Sequence, residues 1–201
     1  MDKTKHERHR RSVRLRGYDY SRNGAYFVTI CTQNREHLFG EIKNGKMWLN
    51  DTGYIAQQCW YEIPKHYPHV SLDAFVVMPN HIHGIFMIEQ PVVGANNHSP
   101  VPDDFMDRSE LTCGFRAKCG FRAKDFSPLR EPFGTSMTVG AVVRGYKIGV
   151  TKWCQTHAHT NMVWQRNYYE HIIRNDREWN LIREYIGKNP EMWEEDELNS
   201  P

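Results

Sequence analysis

The chain has 201 residues, of which 39% are hydrophobic, 25% charged and 12% aromatic, enough to pack one domain. No apolar run approaches the roughly 20 residues that a membrane span needs, and residues 1–8 carry charges with no apolar segment behind them, so neither a membrane protein nor a secreted one is expected. The net charge of +2 is unevenly spread: residues 1–24 hold eight Lys/Arg against Asp2, Glu7 and Asp19, whereas residues 191–201 hold five acids and no base. Five cysteines without a CxxC pair disfavour a disulfide scaffold or a zinc ribbon and fit reduced thiols in a cytoplasm.

Residues 25–33 (AYFVTICTQ) alternate and are rich in aromatic and β-branched types, which predicts a strand. Asn44-Gly45, set between apolar-polar alternations over residues 39–49, predicts a hairpin. Thr52 or Asp51 can cap a helix over residues 53–65, with Ile55, Cys59, Trp60 and Ile63 on one face. Residues 72–78 and 81–88 read as two strands around a Pro79-Asn80 turn, apolar on both sides and so expected in the middle of the sheet.

From residue 90 to residue 134 the pattern collapses into Pro, Gly, Asn and Asp, and the hexamer CGFRAK occurs twice in tandem at 113–118 and 119–124, as a tolerant loop insertion would allow. A helix over residues 136–155 follows, with Val139, Val142, Val143, Tyr146, Val150, Trp153 and Cys154 in one arc and Arg144, Lys147 and Lys152 opposite. Residues 164–173 predict a further strand, and Asn175 caps a last helix over 176–188, stopped by Asn189-Pro190. The mixture of strands and helices predicts an α+β fold with an antiparallel sheet.

His81-Ile82-His83 is the most informative triplet. Residues i and i+2 of a strand project from one face, so the two imidazoles converge and can hold a divalent cation; equally, they can be two partly buried histidines that only hydrogen-bond. His157-Ala158-His159 lies in a polar stretch where no strand enforces a common face, and reads as solvated loop. Tyr185 and Asn189, at i and i+4, share a face of the last helix beside the stripe Trp179, Ile182 and Ile186. Tyr185 there can be an interfacial core aromatic, or a phenol serving as phosphoryl nucleophile, with the Asn189 amide as a hard oxygen ligand one turn on.

Three blocks, residues 75–84 (FVVMPNHIHG), 164–174 (WQRNYYEHIIR) and 185–190 (YIGKNP), in this order resemble the single-tyrosine HUH transposases, most of all the REP-associated tyrosine transposases. The resemblance runs from about residue 16 to residue 192 and leaves out the 90–134 insertion. It implies a ferredoxin-like sheet that binds Mg²⁺ or Mn²⁺ through His81 and His83, Tyr185 as the nucleophile, and Asn189 as the residue completing the metal site. It also implies cleavage and strand transfer of single-stranded DNA at hairpins through a 5′-phosphotyrosine intermediate, by a monomer or homodimer. A domesticated hairpin-binding protein that no longer cleaves is the alternative. The chain then divides into a basic arm (1–24), a catalytic domain (25–190) and an acidic tail (191–201).

Tyr168 and Tyr169 are rival nucleophiles by position, but neither has Asn or Gln four residues on, and they read as sheet packing or base-stacking aromatics. Arg10, Arg11, Arg14 and Arg16 of the arm, with Arg144, Lys147 and Lys152, are expected to track phosphates.

Overall fold

The structure is a computed structural model, and it describes residues 19, 22–89, 137–160 and 162–199. The arm arginines Arg10, Arg11, Arg14 and Arg16 and the insertion 90–134 lie outside the described residues.

Four strands form the main sheet: β1 (Gly24–Cys31), β4 (Val70–Val77), β5 (His81–Ile88) and β6 (Tyr169–Ile173), in the order β4-β5-β1-β6 and antiparallel throughout. The short strands β2 (Gly40–Lys43) and β3 (Lys46–Leu49) form a separate hairpin. Its turn residues Asn44 (φ 53°) and Gly45 (φ 69°) both occupy the left-handed region, which Asn and Gly reach at low cost and which matches the twist of the strands. Leaving that hairpin aside, the chain runs β-α-β-β-α-β, the ferredoxin-like arrangement, with a final helix added. The fold is α+β, as the sequence predicts.

Helices cover both sides of this sheet. Helix α1 (Asp51–Tyr61) continues after a break as the single turn α2 (Ile63–His66), which has Pro64 at its start. The cap of α1 is neither Thr52 nor Asp51 but Asn50, whose Oδ1 accepts from the Gly53 amide at 2.9 Å while its Nδ2 donates to the Leu38 carbonyl at 3.0 Å. Helix α3 (Val139–His157) starts three residues later than predicted, at the Thr138 cap, and buries Val139, Val142, Val143, Tyr146, Val150 and Cys154. Helix α4 (Asp176–Lys188) has the predicted bounds and the predicted Asn175 cap.

Helices α1 and α3 seal the main core over Tyr26, Val28, Ile30, Ile82 and Phe86. Trp60 of α1 stacks on Phe75 at 4.5 Å and lies flat over Gly84, where an added Cβ would stand 2.3 Å from the indole. Only a glycine lets the helix come this close. Helix α4 packs on the other side, over Ala25, Phe27, Ile85 and Ile173 through Ile186. Arg183 of α4 pairs with both carboxylate oxygens of Asp73 on β4, each at 2.7 Å, and the Trp179 indole donates to the same carboxylate. A bidentate pair of this kind fixes orientation as well as distance, and so sets the rotation of α4 on the sheet.

Two strand expectations change. β4 is an edge strand, not a central one; it is apolar on both faces because α1 and α2 pack on one side and α4 on the other. The predicted strand over 164–173 is regular only from Tyr169. Before that, Trp164 makes a single bridge with Thr32, and the carbonyls of Gln165 and Asn167 are taken by the Lys147 ammonium at 2.8 and 3.0 Å instead of by a neighbouring strand.

Candidate active site

β5 begins at His81, so the period-2 rule aims His81 and His83 to the α4 side and Ile82 to the apolar core. The register sets Thr29 of β1 opposite His83 and Cys31 opposite His81. The ring nitrogens His81 Nε2 and His83 Nε2 lie 3.0 Å apart, and both side chains are buried.

The outer nitrogen of each ring is held. His81 Nδ1 is 2.7 Å from Asn80 Oδ1, and the Asn80 amide nitrogen donates to the Leu198 carbonyl at 2.7 Å. That contact fixes the amide orientation, so Asn80 Oδ1 can only accept and His81 Nδ1 carries the proton. His81 Nε2 is then a bare lone pair directed into the site. Thr29 Oγ1 backs His83 Nδ1 at 2.8 Å. Such outer-shell partners commonly orient metal-binding histidines.

Burial holds the His81 pKa down to about 4, against a smaller opposing pull from Asp196, and burial together with the His81 ring holds His83 well below its usual value. Both are neutral at pH 7, the form that binds cations.

Tyr185 reaches the same point from α4. Its hydroxyl is 3.2 Å from His83 Nε2, and its ring contacts His83 edge-on at 5.2 Å and Phe27 at 6.2 Å. The side chain is about half exposed, so one side of the phenol is open. Burial and the carboxylates Asp196 and Glu197 raise its pKa, while Asn189 lowers it, so it is a phenol at pH 7. Asn189, at the C-terminal cap of α4, is buried and within side-chain reach of both His81 and Tyr185. Its Nδ2 donates to Asp196 Oδ2 at 3.3 Å, while its Oδ1 is buried with no hydrogen-bond partner. A buried amide oxygen without a donor is costly, and a cation at this point would satisfy it.

Asp196 is the residue that sequence reasoning missed. The chain folds back after α4 through a 3₁₀ turn (Trp193–Glu195), and the Trp193 ring packs between His37 at 5.6 Å and His81 at 6.0 Å. This packing brings Asp196 Oδ2 to 3.9 Å from His81 Nε2 with its side chain almost fully buried. His81, His83 and Asp196 each present one ligand atom, all within 4.8 Å of one another. Adjacent ligands of one ion stand about 3 Å apart when each bond is about 2.1 Å, which fits the two imidazoles. Two neutral nitrogens, a carboxylate and an amide oxygen suit Mg²⁺ or Mn²⁺ better than a soft metal, since no thiolate is in the group.

The site opens into a cavity of about 820 Å³ lined by Phe27, His83, Tyr169, Tyr185, Asn189 and the 195–198 segment, among others. Tyr169 faces this cavity, edge-on to Phe27 at 6.3 Å, and Tyr168 borders both this cavity and a second one, with the Lys147 ammonium over its ring at 5.9 Å. The second cavity, about 780 Å³, lies along α3 between Arg144, Lys147, Lys152 and Arg166. Arg144 and Lys152 are exposed there; Lys147 is turned inward to the two carbonyls named above. His157 and His159 are exposed and apart from the site.

No family model matches the chain. A Haemophilus influenzae protein without a known role is 43% identical over 190 residues, covering 94% of this chain and 93% of that protein. A second Haemophilus influenzae protein, named "Putative REP-associated tyrosine transposase", is 22% identical over 173 residues, or 86% of this chain and 73% of its own length. Among solved structures, a REP-associated tyrosine transposase bound to a REP hairpin aligns with a TM-score of 0.50 at 18% identity, covering 88% of this chain and 72% of that one, which shows the shared fold. The chain belongs to one family with the first Haemophilus influenzae protein, and its likeness in sequence and fold is to the REP-associated tyrosine transposases.

Proposed function

We propose that this protein is a metal-dependent transferase of single-stranded DNA that cuts at hairpins formed by short palindromes, through a 5′-phosphotyrosine intermediate. One observation carries the reading: the Tyr185 hydroxyl stands 3.2 Å from an imidazole nitrogen that is itself 3.0 Å from a second, within a largely buried group of cation ligands. The resemblance to REP-associated tyrosine transposases supplies the substrate class, as does the REP hairpin bound to the solved relative.

His81, His83 and Asp196 would hold the ion, with Asn189 beside them. Bound there, Mg²⁺ or Mn²⁺ would act as a Lewis acid on a phosphate oxygen and offset charge in the transition state. The protein's own groups do the rest. Thr29 and Asn80 keep both imidazoles aimed inward, and Phe27 and His83 hold the Tyr185 ring. In attack, the Tyr185 oxygen bonds to phosphorus, the bond to the 3′ oxygen breaks, and the phenol proton passes through solvent to that leaving oxygen, leaving a free 3′-hydroxyl on one strand and the 5′ phosphate on the tyrosine. A 3′-hydroxyl from another strand then attacks the phosphotyrosine bond and returns the phenol. One phosphodiester is exchanged for another, so no external energy source is needed.

The test is incubation with single-stranded hairpin DNA from the flanks of the protein's own gene, with Mn²⁺ or Mg²⁺, followed by a denaturing gel. A protein-linked DNA band is expected for the wild type, and none for Tyr185→Phe, which should still bind the hairpin. A band that persists in Tyr185→Phe excludes Tyr185 as the nucleophile. A wild type that binds hairpins but never forms the band favours the non-cleaving alternative.

A further inference from the structure

We infer that Lys147 is a positioning residue for the active site and not a phosphate contact: its ammonium pins the 164–168 segment, the wall that separates the catalytic cavity from the basic groove along α3. The inference rests on the proposed DNA chemistry for its activity readouts, but its geometry does not. The segment makes no regular ladder with β1. It is held by the Thr32–Trp164 bridge, by Gln33 N donating to the Val163 carbonyl at 2.9 Å and by Gln165 N donating to the Cys31 carbonyl at 3.0 Å.

From the α3 side, Lys147 ties the wall at several points, and the Tyr146 ring packs against Trp164 at 5.6 Å. Lys147 Nζ donates to the carbonyls of Gln165 (2.8 Å) and Asn167 (3.0 Å), and the Trp164 indole donates back to the Lys147 carbonyl at 3.2 Å. Burial brings the Lys147 pKa down to about 8, so it remains mostly charged at pH 7.

The wall is two-sided. Gln165, Asn167 and Tyr169 line the catalytic cavity with His83 and Tyr185, while Arg166 lines the basic groove and Tyr168 borders both. Two of the three donors of the ammonium are already used on carbonyls. At most one donor is left for a phosphate in the basic groove that Lys147 borders, so the main polar work of the ammonium is on the wall. Its loss should therefore shift the groups around Tyr185 more than it weakens the hold on DNA.

The experiment compares the full chain with Lys147→Met, which keeps the stem and removes the donors, and Lys147→Arg, which keeps charge and donors. Backbone hydrogen exchange in the free protein should accelerate at residues 164–169 in Lys147→Met and recover in Lys147→Arg. With a labelled single-stranded hairpin oligonucleotide, Lys147→Met should retain wild-type affinity and salt slope, whereas cleavage of bound DNA should fall on the order of tenfold to hundredfold, as a misplaced reacting group costs. Lys147→Arg should restore most of the rate. A salt slope reduced by about 0.7–0.9, the loss of one phosphate contact, would overturn the assignment. So would exchange at 164–169 unchanged in Lys147→Met. If the wild type bound no hairpin at all, the DNA reading would fail, and the exchange comparison alone would still decide the role of Lys147.

Discussion

Tyr26, Val28, Ile30, Ile82 and Phe86 point to one side of the sheet, where α1 and α3 seal them in a mainly apolar core. Phe27, Thr29, His81 and His83, their neighbours on the same two strands, point to the other side under α4 and the 193–198 segment. The first side gains chiefly from apolar burial, with the Trp60 indole nitrogen and the Tyr146 hydroxyl buried there without a hydrogen-bond partner. The second buries imidazoles, a threonine and an amide, and such groups cost free energy unless each finds a partner. The partners are present for Thr29, His81 and His83, yet one oxygen of Asn189 is left over. A sheet with period-2 alternation can thus keep its stability and its chemistry on opposite sides of the same residues. The cost of the polar side falls where a cation would offset it.

Substituting adjacent residues is the sharpest way to break this division. Ile82→Ala empties a fully buried site in the core that α1 and α3 seal and should cost about 2–5 kcal/mol in urea unfolding. His83→Ala, one residue on, should cost only about 1 kcal/mol, a value ordinary for a point change, yet abolish the protein–DNA adduct. If His83→Ala unfolds the protein as readily as Ile82→Ala, the two sides share one role and the division fails.

How far this arrangement was legible in the sequence depends on the range over which each cause acts. β5 and α4 came out with their observed bounds because local signals set them: alternation from His81 to Ile88, and the Asn175 cap with a stop at Asn189-Pro190. The Asn44-Gly45 turn is local in the same way. The α1 cap lies one or two residues before the sequence expectation because Asn50, Asp51 and Thr52 are all competent caps. Asn50 wins through its second contact, to Leu38, which depends on where the preceding hairpin lies. β4 looked central because a doubly apolar strand suggests burial on both faces, which an edge strand under helices also has. The pairing of Thr29 with His83 follows from strand register, which the sequence does not reveal. Asp196 was wholly hidden, since it sits among five acids and reaches His81 only because Trp193 finds a place between two histidines.

That hidden residue gives the second way to test the polar side, by asking which element organises the cation site. The resemblance points to Asn189 on α4, and the structure adds Asp196 from the turn beyond it. A carboxylate contributes more to a hard cation than a neutral amide does. Asp196→Asn should therefore weaken Mn²⁺ binding to the DNA-free protein on the order of tenfold to hundredfold by calorimetry, with Asn189→Ala losing less. The reverse order would make α4 the organiser of the site, with Asp196 as a neighbour only.

The smallest effect concerns the outer surface of the apolar side. Arg144 and Lys152 stand exposed on α3 with Arg166 near them, and α3 covers the side of the sheet opposite to Tyr185. If the hairpin is held there while its single strand enters the catalytic cavity, the two sides are joined by the DNA as well as by the strands. Replacing Arg144 and Lys152 together by Gln removes two phosphate contacts, so the slope of log affinity against log salt should fall by about 1.4–1.8. At low salt the affinity loss should be modest, and the rate of adduct formation by DNA already bound should stay unchanged, because neither side chain lines the catalytic cavity. These contacts position the DNA without reading its sequence, so matched and scrambled stems should lose affinity equally. A reduced rate on bound DNA would mean that the groove also feeds the catalytic step. An unchanged slope would mean that DNA avoids α3 altogether, leaving the apolar side with a structural role alone.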